Sequence, residues 1–162
     1  MLMKQFADVR GAGVKVSDFQ TFKDDAGFSL QLPGIYLTEF TAGGAVSRGD
    51  TLIWDHSDAA TTPLRVAQAG AAAPGYTIIG VSMNDATVNE YVQVCVFGFC
   101  WVKVGTADPV ATDWGSPSGA TAGVVAVQTG DVLETTVAGE HLGHFLGVED
   151  ADNLAPFWFY HF

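Results

Sequence analysis

Tyr91-Val92-Gln93-Val94-Cys95-Val96-Phe97-Gly98-Phe99-Cys100-Trp101-Val102-Lys103-Val104 decides the class of fold. Almost every position is β-branched, aromatic or small and apolar, the composition of a pleated, largely buried strand. Gly98 in the middle reads as a hairpin turn or as a glycine bulge within one long strand. The run is far short of the ~20 apolar residues that a membrane helix needs.

Outward from this stretch the same character continues. Phe28–Leu32, Gly34–Phe40, Asp50–Trp54, Leu64–Ala67 and Tyr76–Val81 read as further short strands, bounded by Pro33, Gly43-Gly44, Pro63 and Pro74-Gly75. Nineteen glycines supply reversals. Only Ser17–Asp25 offers a helical signal, with Ser17 as a cap and Phe19 and Phe22 on one face, and Gly27 limits it to about a single turn. Residues 55–62, 70–75 and 106–123 read as loops. The expected fold is all-β, a β-sandwich or small β-barrel built from two similar β units with an extended N-terminal arm.

The two units are suggested by an echo. Val46-Ser47-Arg48-Gly49-Asp50-Thr51-Leu52 returns as Val127-Gln128-Thr129-Gly130-Asp131-Val132-Leu133, and Ile79-Gly80-Val81 with Asp85 returns as Leu146-Gly147-Val148 with Asp152. The expected organisation is one compact domain, with residues 1–45 as arm and first strands and 46–162 as body, the internal repeat covering 46–98 and 127–162. At 162 residues, one core suffices.

Composition narrows the function classes. The chain is 48% hydrophobic and only 15% charged, so subunit contacts are expected to cover part of its surface. Seven Lys and Arg against 18 Asp and Glu give a net charge of −11, which repels nucleic-acid backbones. No residue after Lys103 is basic, so Lys4, Arg10 and Lys15 suggest a basic N-terminal segment that docks on an acidic partner. The first residues do not read as a signal peptide, and neither a membrane nor a nucleic acid is an expected partner. Cys95 and Cys100 are too few for a disulfide framework and are expected to be reduced, packed thiols.

Catalytic constellations are not expected. Glu140-His141-Leu142-Gly143-His144 spaces its histidines three apart, which on a strand puts them on opposite faces. Gly115-Ser116-Pro117-Ser118-Gly119 has proline where a nucleophile elbow needs its serine. Glu149–Asn153 lacks the glycine and closing glutamate of a calcium loop. Arg48-Gly49-Asp50 reads as a β-turn, not an adhesion tripeptide. The sequence thus points to a non-enzyme without metal or cofactor.

The C-terminal run Phe157-Trp158-Phe159-Tyr160-His161-Phe162 alternates aromatics on both faces. It is expected to be covered by its own core on one side and by a loop or another subunit on the other. Phe157, Trp158, Tyr160 and Phe162 are the expected subunit-interface residues.

The Val-Ser-x-Gly-Asp-x-Leu start at Val46, the Ile-Gly-Val strand at Ile79 with its Asp85-Ala86 turn, and the alternating valines from Val92 to Gly98 together resemble the head decoration, or cement, proteins of tailed bacteriophages. The resemblance covers about residues 46–104. It implies a structural protein, made in the host cytoplasm and often trimeric, that sits on the outer surface of the virion and clamps neighbouring copies of the major capsid protein. Under it, Lys4, Arg10 and Lys15 reach onto the lattice. The rival reading is a carbohydrate-binding or fibre-type adhesion module, with Trp54, Trp101 or Trp114 as stacking platform and Trp114, in its Gly/Ser/Pro loop, the best placed.

Overall fold

The computed structural model describes residues 36–57, 65–105, 108–128 and 141–160, together with the backbone of three short strands nearer the N-terminus. Those three are β1 (Val14–Val16), β2 (Gln20–Lys23) and β3 (Ser29–Leu32). The others are β4 (Tyr36–Ala42), β5 (Thr51–Trp54), β6 (Arg65–Gln68), β7 (Ile78–Ser82), β8 (Tyr91–Lys103), β9 (Trp114–Pro117), β10 (Val125–Gln128), β11 (Gly143–Phe145) and β12 (Leu154–Phe159). Among the described residues the one helical element is the 3-10 turn Gly75–Thr77. The chain is an all-β protein.

The strand read first is continuous, and it organises the rest. Up to Phe97, β8 pairs with β4, and from Gly98 onward it pairs with β12. Gly98 has φ 102, a conformation that costs glycine nothing, and so of the two readings of this residue the structure takes the bulge. Across the bulge, both cysteine side chains are buried as free thiols. Burial pushes the Cys100 thiol well up, aided by a hydrogen bond with Cys95.

Two rings follow from this division. The first is a closed five-strand barrel in the order β4, β6, β5, β7, β8 and back to β4, with only β4 and β6 parallel. The second runs from the C-terminal half of β8 through β12, β11, β9 and β10, and the parallel bridge Val104↔Val125 returns it to the end of β8. The hydrogen bonds of the two rings also correspond. Gly49 N–H donates to Ser82 O, Asp50 N–H to Ser47 O, and the Asp50 carboxylate accepts from Ser47 N–H. In the second ring Thr112 N–H donates to Phe145 O, Asp113 N–H to Val110 O, and the Asp113 carboxylate accepts from Val110 N–H. The turn geometry of Ser47–Asp50 therefore recurs at Val110–Asp113. Of the sequence echo at 127–133, all but Val127 and Gln128 lies outside the described residues.

Two local expectations are corrected. Gln20–Lys23, inside the segment read as a helical turn, is extended and pairs with β3, since the β-branched and aromatic pair Thr21-Phe22 favours an extended chain once a ladder partner is at hand. Trp114–Pro117, inside the expected 106–123 loop, is β9, because its neighbours β10 and β11 supply ladder partners that no local pattern announces.

The first barrel is filled by Ala42, Leu52, Val66, Val92 and Val94. A second cluster joins Leu37, Val81 and Cys95 from first-barrel strands to Val102, Phe145, Phe157 and Phe159, so the rings share one apolar seam. Within the second ring Gly115 and Gly143 lie opposite each other. A Cβ built on Gly115 would stand 2.5 Å from the Phe157 ring, and one on Gly143 would collide with the Trp158 carbonyl and the same ring. The paired glycines make the hole that Phe157 occupies. Gly115→Ala is expected to destabilise the protein by about 1–3 kcal/mol through overpacking. Gly119→Ala, with nothing within 4 Å, should leave stability unchanged. Equal thermal midpoints for the two variants would show that the ring is not confined.

Candidate functional site

Strand register builds an aromatic row on the outside of the second ring. Trp114 of β9 stands opposite His144 of β11, His144 opposite Trp158 of β12, and Trp158 opposite Phe99 of β8. Because cross-strand partners share a face, these side chains form one band. Trp114, His144 and Trp158 are half-buried, whereas Phe145, Phe157 and Phe159, at alternate positions, are fully buried on the inner face.

Trp114 is the hub of this face. Its ring lies 5.3 Å from His141, 6.4 Å from His144 and 6.4 Å from Tyr160, each at an edge-to-face angle, and His144 lies 5.6 Å from Tyr160. The two histidines thus gather around an indole, and among the described residues no group of three or more His, Cys, Asp or Glu is placed to hold a metal. Burial lowers the His144 pKa and raises that of Tyr160, which favours the neutral form of both near pH 7. At its other end the band continues from Trp158 to Phe97 at 6.1 Å and from Phe97 to Tyr36 at 5.7 Å. Such a face offers apolar area and edge donors for contact.

The expected site residues fall in several places. Trp158 and Tyr160 are on the outward, half-buried face. Phe157 is not available to another subunit: it is completely buried, with its ring centroid 4.9 Å from that of Phe145, so it belongs to the chain's own core. Phe162, Lys4 and Arg10 lie outside the described residues. Lys15 lies in β1, opposite Leu37 of β4, so its backbone is part of a sheet. Trp101 is half-buried beside Phe99, and Trp54 is 37% exposed at the end of β5. Sequence reading passed over His141 and His144 as partners of Trp114, because only the β9–β11 pairing brings them there.

Two cations of the body are paired with carboxylates. Lys103 is held by the buried Asp50 at 2.7 Å, and Arg65 by Asp55 at 3.6 Å. Burial and a hydrogen bond with Asp108 raise the Glu149 pKa.

The fold and this face define an all-β module of two joined rings that carries an outward aromatic band. No protein-family model matches the chain, and no curated protein does. Among solved structures it is similar to the N base of the head fiber gp8.5 in bacteriophage phi29, with a TM-score of 0.53 over 78% of this chain and 95% of that one. The two are 14% identical, so the likeness is one of fold.

Proposed function

We propose that this chain is a structural protein of a phage virion that decorates the outer surface of the head, binds the major capsid protein and stabilises contacts between its subunits. The observation that carries the reading is the fold held in common with the base of a phage head fiber over most of both chains. Two rings welded along one apolar seam make a stiff body, and stiffness is what a clamp across several shell subunits requires. A net charge of −11 disfavours nucleic acid as the partner and leaves protein contact. On this reading the chain is a homotrimer, Trp158 and Tyr160 form part of the subunit contact, and the basic N-terminal segment with Lys4, Arg10 and Lys15 reaches the capsid. Three linked contacts raise the effective concentration of each, so modest individual affinities suffice. Binding only the assembled shell stabilises it by mass action.

The same likeness favours one alternative, a fibre-type adhesion module in which this domain is the base. Native mass measurement and co-sedimentation with heads lacking the protein test both. A trimer that saturates the heads and raises their disruption temperature is expected. Protein that stays in the supernatant at all head concentrations would remove the decoration reading.

A further inference from the structure

We propose that the cleft between the end of β5 and the Gly75–Thr77 turn binds a neutral sugar ring. The cleft encloses about 460 Å3, within the ~300–1,000 Å3 of small-molecule sites. Trp54, His56, Pro74, Tyr76, Thr77 and Ile79 line it.

Its aromatic faces are open and its frame is fixed. Tyr76 is 74% exposed, although the turn that carries it is braced by Thr77 N–H and Thr77 Oγ1, both donating to Pro74 O at 2.9 and 2.7 Å. Trp54 is held at the strand end by Phe40, edge-to-face at 5.1 Å. His56 follows Asp55, whose carboxylate accepts from Ser57 N–H at 2.9 Å and from Ser57 Oγ and lies 3.6 Å from Arg65 Nε. A site already in its binding geometry loses little entropy on taking a ligand.

The lining selects the class of ligand. None of the lining residues is Asp, Glu, Lys or Arg, in a chain with 25 such residues overall by the sum of seven and 18. An ionic ligand would lose its water there and find no counter-charge. A wholly apolar ligand would cover His56 and the Tyr76 phenol without offering either a hydrogen bond. A neutral sugar matches both features, because its C–H face stacks on an aromatic ring while its hydroxyls meet the polar rim. Trp114, by contrast, is hemmed by His141, His144 and Tyr160.

The proposal is independent of the virion reading, and its test uses the full chain. An array of neutral hexose and N-acetylhexosamine oligosaccharides identifies the probe, and tryptophan fluorescence titration with the strongest one measures its affinity. Saturable binding is expected. Tyr76→Ala should weaken it roughly tenfold or more without moving the thermal midpoint. Tyr91→Ala, which removes a 67% exposed aromatic outside the cleft, should leave it unchanged. The proposal is overturned if no neutral glycan binds, if binding survives Tyr76→Ala, or if Trp114→Ala abolishes it instead. It is also overturned if the cleft proves to hold a second copy, seen as a concentration-dependent dimer lost in Tyr76→Ala. Continued head binding in any of these cases would show that only the sugar site had failed.

Discussion

Phe157→Ala is expected to cost about 3–5 kcal/mol, a large fraction of the ~5–15 kcal/mol that holds a domain of this kind together. The side chain is completely buried, touches Phe145 edge-to-face and fills the space left by Gly115 and Gly143 on the neighbouring strands. Neither glycine has a side chain that could lean into the vacancy, and their strands are held by backbone ladders to β12 and β10. The cavity would therefore remain largely open, which places the cost toward the upper end of the range. Trp158→Ala, one position along, removes a larger ring from the half-exposed outer face and should cost less in the isolated chain. Chemical denaturation of both variants measures the difference. A Trp158→Ala midpoint as low as that of Phe157→Ala would contradict the inward and outward assignment of β12.

The second large effect concerns Asp50. Its carboxylate is 1% exposed and accepts from Ser47 N–H at 2.8 Å, Gln68 Nε2 at 2.9 Å and Lys103 Nζ at 2.7 Å. These contacts tie three places together: the turn before β5, the end of β6, and the segment of β8 that has entered the second ring. Around them Lys103 N–H donates to Gly49 O, and Thr51 N–H donates to Gly123 O. Asp50→Ala leaves three donors unmatched in a site with little water, and about 2–4 kcal/mol of stability should be lost. Lys103 keeps 31% of its side chain exposed and can turn to solvent, which holds the cost below that of a fully enclosed pair. Asp113→Ala is the internal comparison, since the only hydrogen bond of that carboxylate among the described residues is from Val110 N–H, and about 1 kcal/mol is expected. If denaturation gave the two variants equal losses, the link from Asp50 to Lys103 and Gln68 would contribute nothing.

The aspartate turns also show which features were legible. Ser47-Arg48-Gly49-Asp50 could be read as a turn because glycine marks the positive φ, which is 86° at Gly49. Its structural counterpart has Thr112 at that place, with φ 88°, so composition gave no sign of it. The bond from Thr112 N–H to Phe145 O, and beside it the bond from Asp113 N–H to Val110 O that closes the turn, hold the threonine in a conformation its side chain disfavours. β9 was hidden in the same way, since a strand with proline and glycine in four residues is made only by its neighbours.

In the aromatic site, alternation along β12 was readable, because successive side chains on any extended chain point to opposite faces. Which face meets the core was not, as both carry rings of similar hydrophobicity. The gathering of His141, His144 and Tyr160 around Trp114 was equally invisible, since it depends on the register of β9 with β11 and of β11 with β12.

By itself the sequence determined the all-β class, the extended character of residues 91–104 and the Asp50 turn, because each depends on side chains within a few positions of one another, whereas pairing with two different partners decided that Gly98 is a bulge within one continuous strand. The tertiary structure alone decided that β8 serves two rings, that Phe157 is core while Trp158 faces out, and that Trp54 and Tyr76 border one cleft. Those outcomes depend on pairing between strands far apart in the chain, where the free energy resides in the fit of whole faces and no single segment carries it.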